Sequence, residues 1–237
     1  MGIRRLAKDQ SSQSIAEINH TAQVTPQTRP SDGLAHAATG TGVTPIPAKV
    51  AADPNKHPPL IVPPLTAHAT ASLVRVDDTS AGNWVGRYGK QGYYLAMDGA
   101  VPHLPGGVNL AMAGAPFYAW SPVTTDPRGP SLPQDPAKRT SGQWFTGDKF
   151  TLDLDFRGAA RSYQVALYLL DWDSDQRAQK LEAVDPDTGA VLLTRTDDHF
   201  RHGRYLILKL SGHVILRITR VGGVNCTLSG IFFDDIP

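Results

Sequence analysis

Acidic and aromatic residues follow directly after the longest apolar run of this 237-residue sequence. The run lies within Arg161–Asp175 (RSYQVALYLLDWDSD) and ends in Asp171, Trp172 and Asp173. Carboxylates can serve as general acid and base, as metal ligands or as hydrogen-bond acceptors, and an indole offers a flat apolar surface. The end of this run is therefore the first place where the sequence predicts a functional site.

Catalysis by these carboxylates is not favoured. A glycosidase needs two carboxylates on opposite sides of a sugar, whereas Asp171 and Asp173, like Asp153 and Asp155, alternate along one face of an extended strand. Alternating aspartates are also typical of a solvated outer face. The sequence contains no Gly-x-Ser-x-Gly elbow, no His-Glu-x-x-His pair and no Walker-type loop. We expect a protein that is not an enzyme.

Calcium is a second chemistry that alternating aspartates can support. Asp171, Asp173 and Asp175 have the spacing that opens an EF-hand loop, but Gln176 stands where that loop needs glycine. An EF-hand is therefore rejected, and no other cofactor is predicted. A structural calcium ion at the loop ends remains an alternative, for which the candidate ligands are Asp77, Asp78, Asp234 and Asp235.

Aromatic residues at the ends of strand-like segments form a further set. Aromatic rings stack on sugar rings while neighbouring polar groups bond the hydroxyls. The competing interpretation is that these rings cap the ends of a hydrophobic core. The glycan-binding candidates are Trp84, Tyr88, Trp120, Asp171, Trp172 and Asp173.

Short strands position these residues. In the central run, Val165, Leu167 and Leu169 alternate with Ala166, Tyr168 and Leu170, so both faces are apolar and a central strand is predicted. From Ser72 onward the sequence predicts about ten strands and no convincing helix. Ser121–Gly142 is predicted as a long loop, and Arg204–Leu210 is predicted to pair with His213–Arg220 across a tight turn. The predicted fold is all-β, an antiparallel two-sheet β-sandwich (jelly roll).

The first part of the chain differs in composition. Residues 1–71 lack aromatic residues and are rich in proline, so they cannot bury enough apolar surface to form a core. We predict an extended Pro-rich arm over residues 1–71, with a short helix near its start, and a sandwich domain over residues 72–237. Residues of the arm that can contact a partner are Ile3, Leu6, Ile15, Ile18, Pro58, Pro59, Leu60, Ile61 and Val62.

The charge balance points away from two classes of partner. The formal net charge is +1, which favours neither nucleic acid nor an anionic membrane. No stretch approaches the roughly 20 apolar residues that span a bilayer, and the first residues lack the layout of a secretory signal peptide. We therefore expect no nucleic acid and no membrane among the partners.

Several strings resemble a known family. NWVGRYGKQGYYLA, FYAW with TTDPRG, ALYLLDWDS and SGIFFD look like a bacterial β-sandwich module of cell-surface and secreted polysaccharide-active proteins. The resemblance covers about Asp77–Asp234. It implies a jelly-roll fold and a carbohydrate-binding or adhesive role, and it supplies no ligand residues.

Three expectations lead to a hypothesis about where the protein occurs. They are the arm, a sandwich of this kind and the lack of an export signal. We expect a phage virion structural protein of the head-decoration or tail-fibre type, located in the virion. Its arm would bind capsid or tail proteins, and its sandwich would face host surface glycan, as a homo-oligomer within the assembly. The alternative is an extracellular or bacterial cell-surface carbohydrate-binding module, and a polysaccharide-active enzyme is the third hypothesis.

Overall fold

Fourteen β-strands and a single-turn 3₁₀ helix at Arg157–Ala159 form the fold of residues 68–236, the part of the chain that the computed structural model describes. Alternation of apolar and polar residues sets most of these strands. The strands are β1 Thr70–Asp77, β2 Gly92–Leu95, β3 Asn109–Ala113, β4 Phe117–Thr124, β5 Ser131–Leu132, β6 Asp135–Thr146, β7 Lys149–Asp155, β8 Tyr163–Leu169, β9 Ala178–Val184, β10 Val191–Asp198, β11 Arg204–Ser211, β12 His213–Gly222, β13 Cys226–Leu228 and β14 Gly230–Asp234.

The strands form three sheets. The first has the order β1-β11-β8-β14-β2, the second has the order β10-β9-β12-β7-β3, and the third has the order β13-β6-β4 with β5 paired to β6. All these pairings are antiparallel. The predicted all-β antiparallel sandwich is confirmed. Among residues 68–236, no helix has the length and apolar character needed to cross a bilayer.

The main core lies between the first and second sheets. Strand β7 points Phe150, Leu152 and Leu154 into it and turns Thr151, Asp153 and Asp155 outward, as the alternation predicts. Oδ1 of Asp153 lies 2.7 Å from Nε2 of His213 on the outer face. Asp153 and Asp155 therefore belong to a polar surface. Each fully buried leucine contributes about 1.5–3 kcal/mol by leaving water.

Strand β8 is the central strand of the first sheet and is buried on both faces. Its odd-numbered residues, such as Leu167, belong to the main core, whereas Ala166 and Tyr168 belong to a second buried cluster on the other face. The prediction of a doubly covered central strand is confirmed.

The second cluster is closed by the chain that follows β1. Tyr205 of β11 donates its hydroxyl to the carbonyl of Ala81 at 2.6 Å, and Tyr168 of β8 donates to the carbonyl of Arg128 at 2.6 Å. Two loops are thereby held on the outer face of the first sheet. The outer face of the first sheet, which we call its back, is therefore covered around Ala166 and Tyr168, and this explains why these two residues of β8 are apolar too.

The predicted hairpin of β11 with β12 is wrong. Strand β11 pairs with β1 and β8 in the first sheet, and β12 pairs with β7 and β9 in the second. The connection at Gly212, with φ of 76°, therefore crosses from one sheet to the other. Both strands send alternate leucine, isoleucine and valine side chains into the main core, so they face each other across it.

The predicted loop at Ser121–Gly142 is also wrong, and the count of strands is higher than expected. This segment contains the end of β4, all of β5 and most of β6. Proline is tolerated because β4 is an edge strand and Pro122 lies where its register with β6 shifts. Pro136 precedes Arg139, the first β6 residue that pairs with β4, so it lies outside that pairing.

The start of the sandwich lies close to the predicted boundary. Strand β1 begins at Thr70, whose hydroxyl lies 2.6 Å from that of Ser211, and Ala71 pairs with Leu210. Residues 1–67 of the predicted arm, including its proposed helix and contact residues, lie outside the described residues.

Asp77 anchors the end of β1. Its carboxylate accepts hydrogen bonds from the backbone of Thr79 and Ser80 at 2.8 and 3.0 Å and from the hydroxyl of Tyr88 at 2.6 Å. Burial by itself raises the pKa of Asp77, but the hydrogen bonds from Ser80, Tyr88 and Thr79 outweigh it and hold the pKa well below its usual range. The ionised form is therefore the stabilising one.

Replacing Asp77 with Asn is expected to lower the free energy of unfolding by about 1–3 kcal/mol at pH 7, because buried donors lose a charged acceptor. Because the folded-state pKa of Asp77 is depressed, the extra stability of the wild-type protein is fully present above the unfolded-state pKa of about 3.9. It is lost as the pH falls through the folded-state pKa. Urea unfolding at pH 7 and near pH 3 measures this difference. Asp78→Asn, at a half-exposed carboxylate, is the control and should change stability much less. An Asp77 effect that does not shrink at low pH contradicts this account.

Candidate functional site

The candidate site is built on the segment that leaves β8, residues 170–177, which we call the Asp171 loop. Asp171 is buried, and its carboxylate accepts hydrogen bonds from the backbone of Ser174 and Arg177, both at 3.1 Å. These bonds fold the chain back toward β9. An aspartate that bonds backbone groups a few residues ahead is a common turn device, and here it fixes where Trp172 and Asp173 lie.

A buried arginine, Arg177, anchors the Asp171 loop through its aspartates. The side chain of Arg177 is 2% exposed and forms ion pairs with Asp171 and with Asp173, the latter at 2.5 Å. Its Nε donates to Asn225 Oδ1 at 2.6 Å. With acceptors on several sides, the guanidinium has little freedom, and its Cζ lies 5.6 Å from the centre of the Trp120 ring.

Trp120 reaches the Asp171 loop from the edge strand β4. Ala119 and Ser121 pair with adjacent residues of β6, so Trp120 is the extra residue of a β-bulge. Bulges re-aim side chains. The indole Nε1 donates to Asp173 at 3.2 Å, and its ring stacks on Trp172 with centres 6.3 Å apart and planes 21° apart. Both indoles are partly exposed.

A second arginine supports Trp172. Arg128 Cζ lies 4.7 Å from the centre of the Trp172 ring, and its guanidinium bonds the carbonyls of Trp172 and Arg201. Asp126 accepts three hydrogen bonds from the Arg128 side chain, and this contact keeps the pKa of Asp126 below its usual range. Each indole therefore packs against the other indole and against one arginine, and these contacts fix its position.

The aromatic surface continues along β4. Tyr118 is 51% exposed and lies edge-to-face with Trp120, with ring centres 6.5 Å apart, and with Phe145 of β6, at 6.2 Å. We call Tyr118, Trp120, Phe145 and Trp172 the aromatic surface. It lies beside Asp173, whose side chain is 52% exposed. The structure thus brings together four of the predicted glycan-binding residues: Trp120, Asp171, Trp172 and Asp173.

Trp84 and Tyr88 do not belong to this site, and their prediction as glycan-binding residues is wrong. Each is 3% exposed and packs in the second cluster on the back of the first sheet. Trp84 donates its Nε1 to the carbonyl of Ser131 at 2.7 Å, and the ring of Tyr88 packs against that of Tyr205 with centres 4.6 Å apart. They cover the core, because the outer face of β8 is itself apolar.

The four calcium candidates do not converge. Within residues 68–236, no group of three or more acidic, histidine or cysteine side chains is arranged to hold a metal ion. The carboxylate of Asp77 already accepts hydrogen bonds from Thr79, Ser80 and Tyr88. Asp78 pairs with Arg204 at 2.6 Å. Asp234 accepts the backbone N–H groups of Gly89 and Lys90, both at 2.9 Å. Asp235 pairs with Arg161 at 2.7 Å. Protein donors therefore occupy these carboxylates.

The contact residues predicted in the arm, from Ile3 to Val62, lie outside the described part of the chain. Sequence reasoning also missed four residues of the site, which are Tyr118, Arg128, Phe145 and Arg177. Arg128 and Arg177 are separated from Trp120 along the chain, so no local pattern connects them. Tyr118 did carry a signal, because it lies two residues before Trp120 in a strand and residues at that spacing share a face.

Comparison with known proteins yields one distant structural similarity. No protein-family model matches the chain, and no curated protein matches it. A solved structure from work on the promiscuous specificity of carbohydrate-binding modules of the β-sandwich superfamily matches with 12% identity and a TM-score of 0.29. The match covers 63% of this chain and 62% of that one, which is less than two thirds of its length.

Arg177→Leu is expected to destabilise the protein by about 3–5 kcal/mol, because it leaves the buried Asp171 carboxylate without a counter-charge. Asp171→Leu/Arg177→Leu should recover part of that loss, since it removes both charges. Arg157→Leu is the matched control: its ion pair with Asp155 is partly exposed, and a much smaller loss is expected. Urea unfolding of the four proteins checks this. Equal losses in Arg177→Leu and Arg157→Leu contradict it.

Proposed function

We propose that this sandwich is a non-enzymatic carbohydrate-binding module and that the aromatic surface is its binding site. The observation that carries the proposal is the pair of partly exposed, stacked indoles of Trp120 and Trp172 beside the half-exposed carboxylate of Asp173. The setting proposed with it is extracellular or on a bacterial cell surface.

The chemistry of the surface suits a sugar. A pyranose presents C–H groups on its faces and hydroxyls at its rim, so it packs on an aromatic ring while its hydroxyls seek polar partners. Asp173 supplies acceptor oxygens next to the rings, and the hydroxyl of the exposed Tyr118 supplies a donor and an acceptor. A ligand that spans both indoles would then be held by stacking and by hydrogen bonds.

The site is fixed before any ligand arrives. The Arg177 and Arg128 side chains lie against the two indoles and are themselves anchored by hydrogen bonds. Binding therefore costs less side-chain entropy than it would at two free surface tryptophans. This preorganisation supports a binding role.

The state of the carboxylates supports binding over catalysis. A glycosidase keeps one carboxyl group protonated as the general acid and the other free to act as base or nucleophile. Asp171 is buried against Arg177 and cannot approach a sugar. Burial by itself raises the pKa of Asp173, but the hydrogen bond and charge of Arg177 outweigh it, so the pKa is lowered and the group stays ionised. Asp171 is therefore out of reach of a sugar, and Asp173 is not suited to donate a proton.

A virion component is the second candidate. It is favoured by the composition of residues 1–71, which combine many prolines with no aromatic residue and so resemble an arm that gains order on a partner. In that setting capsid or tail proteins would bind the arm, copies of the chain would assemble together, and the aromatic surface would face host glycan.

Trp120→Ala and Trp172→Ala are each expected to weaken glycan binding at least tenfold, because loss of one stacked ring removes about 1.5–3 kcal/mol of buried contact. A glycan array identifies the ligand and titration calorimetry measures the change in Kd. Tyr93→Ala is the matched control, since it removes a partly exposed ring on β2 that packs against Trp84 and His103, outside the aromatic surface. Unchanged affinity in both tryptophan variants, with their melting temperatures preserved, rules out this site.

Deletion of residues 1–67 tests the second candidate while leaving β1 intact. If the chain is a virion component, the deletion should abolish incorporation into particles and leave the melting transition of the sandwich in place. The readout is the amount of this protein in purified particles. Normal incorporation of the shortened chain excludes a docking role for the arm.

A further inference from the structure

A groove on the back of the first sheet combines exposed positive charge with amide groups. It has a volume of about 500 Å³ and is lined by Arg75, Arg87, Lys90, Gln91, Gln164, Asp234, Asp235 and Ile236. Gln164 lies at the start of β8, whereas Trp172 follows its end. Because β8 has seven residues, these two places are about 20 Å apart along the strand. The groove is therefore separate from the aromatic surface.

Strand register places a fourth cation beside this groove. Arg75 of β1 pairs with Ile207 of β11, and Lys209 lies two residues farther along the same face of β11. Lys209 in turn pairs with Gln164 of β8. Since cross-strand partners share a face of the sheet, Arg75, Lys209 and Gln164 all project from the back. Lys209 is exposed.

The loop before β2 supplies the other two cations in a defined position. The backbone N–H groups of Gly89 and Lys90 donate to the two oxygens of Asp234, each at 2.9 Å. Gly89 has φ of 75°, and a Cβ there would lie 3.1 Å from the ring of Trp84, so the loop passes tightly over the second cluster. Arg87 and Lys90 are thereby held at the rim of the groove.

The acidic residues near the groove do not cancel these charges. Asp234 is 6% exposed and is used by the loop backbone, and Asp235 is paired with Arg161 and Gln91, each at 2.7 Å. Within residues 68–236, Arg87, Lys90 and Lys209 form no ion pair. The nearest carboxylate to Arg75 is the buried Asp77, at 3.9 Å. The accessible surface of the groove is therefore positive.

We propose that this groove binds the carboxylate or sulfate groups of an acidic polysaccharide. The positive charge points to an anion, the side-chain amides of Gln91 and Gln164 can bond hydroxyls, and the groove is lined by several cations that can contact more than one anionic group. The choice of a polysaccharide as the carrier of these groups rests on the proposed carbohydrate-binding function. The chain would then hold two separate subsites, one that stacks on neutral sugar rings and one that pairs with acidic groups.

The test uses the full-length chain and four probes: oligogalacturonate, a sulfated heparin oligosaccharide, a neutral oligosaccharide of the same length and a single-stranded DNA of the same charge. Arg87→Glu/Lys90→Glu should weaken binding of the acidic probe at least about tenfold. Lys90→Glu/Lys209→Glu should do the same, and it serves if the first variant folds poorly. Wild-type binding should weaken as salt rises. The two acidic probes distinguish carboxylate from sulfate as the favoured group.

Lys138→Glu/Lys149→Glu is the matched control, because it makes the same change of charge at exposed sites on β6 and β7. It should leave affinity within about twofold of wild type. Any of three results would overturn the proposal. They are equal losses of affinity in the control and groove variants, no binding of either acidic probe, and DNA binding as tight as that of the best acidic sugar. Trp120→Ala separates the two hypotheses. If it leaves both sugar classes bound while the groove variants lose the acidic one, the aromatic site fails and the groove stands.

Discussion

Burial of both faces of β8 is the constraint on which the rest of the structure depends. One face packs against the second sheet, and the other face needs its own cover, which the segment after β1 provides with Trp84 and Tyr88. A strand that is buried on both faces can be followed by charged residues only where the chain leaves the core. The first charged residue after it, Asp171, therefore lies at the edge of the sandwich, and the chain turns there.

The ion pair of Asp171 with Arg177 converts that turn into a rigid surface. Buried ion pairs contribute little net stability, since the cost of desolvation offsets much of the attraction. What this pair does is geometric: it keeps the guanidinium near Trp120 and beside Asp173, while the β-bulge directs Trp120 toward Trp172. Trp120 of β4 and Trp172 of the Asp171 loop are thus held side by side, partly open to solvent.

Charge is distributed unevenly over a chain that is nearly neutral. The formal net charge of +1 excludes strong attraction to polyanions only if exposed charges mirror the total. Here several carboxylates, including Asp77 and Asp234, are buried and saturated by hydrogen bonds, whereas Arg87, Lys90 and Lys209 are exposed on one face. Burial of the acids therefore leaves a basic groove that composition alone conceals.

The sequence by itself determined the β class, the central strand and the alternation of β7, because side-chain periodicity reports directly which faces are apolar. It also identified Trp120, Trp172 and Asp173 as candidate site residues, because they lie at the ends of apolar runs. Only the tertiary structure decided that Trp84 is buried, that β11 and β12 belong to different sheets, and that Arg128 and Arg177 flank the tryptophans. The reason is that periodicity states that a face is covered, whereas the covering element and the strand register depend on contacts between residues far apart in the chain.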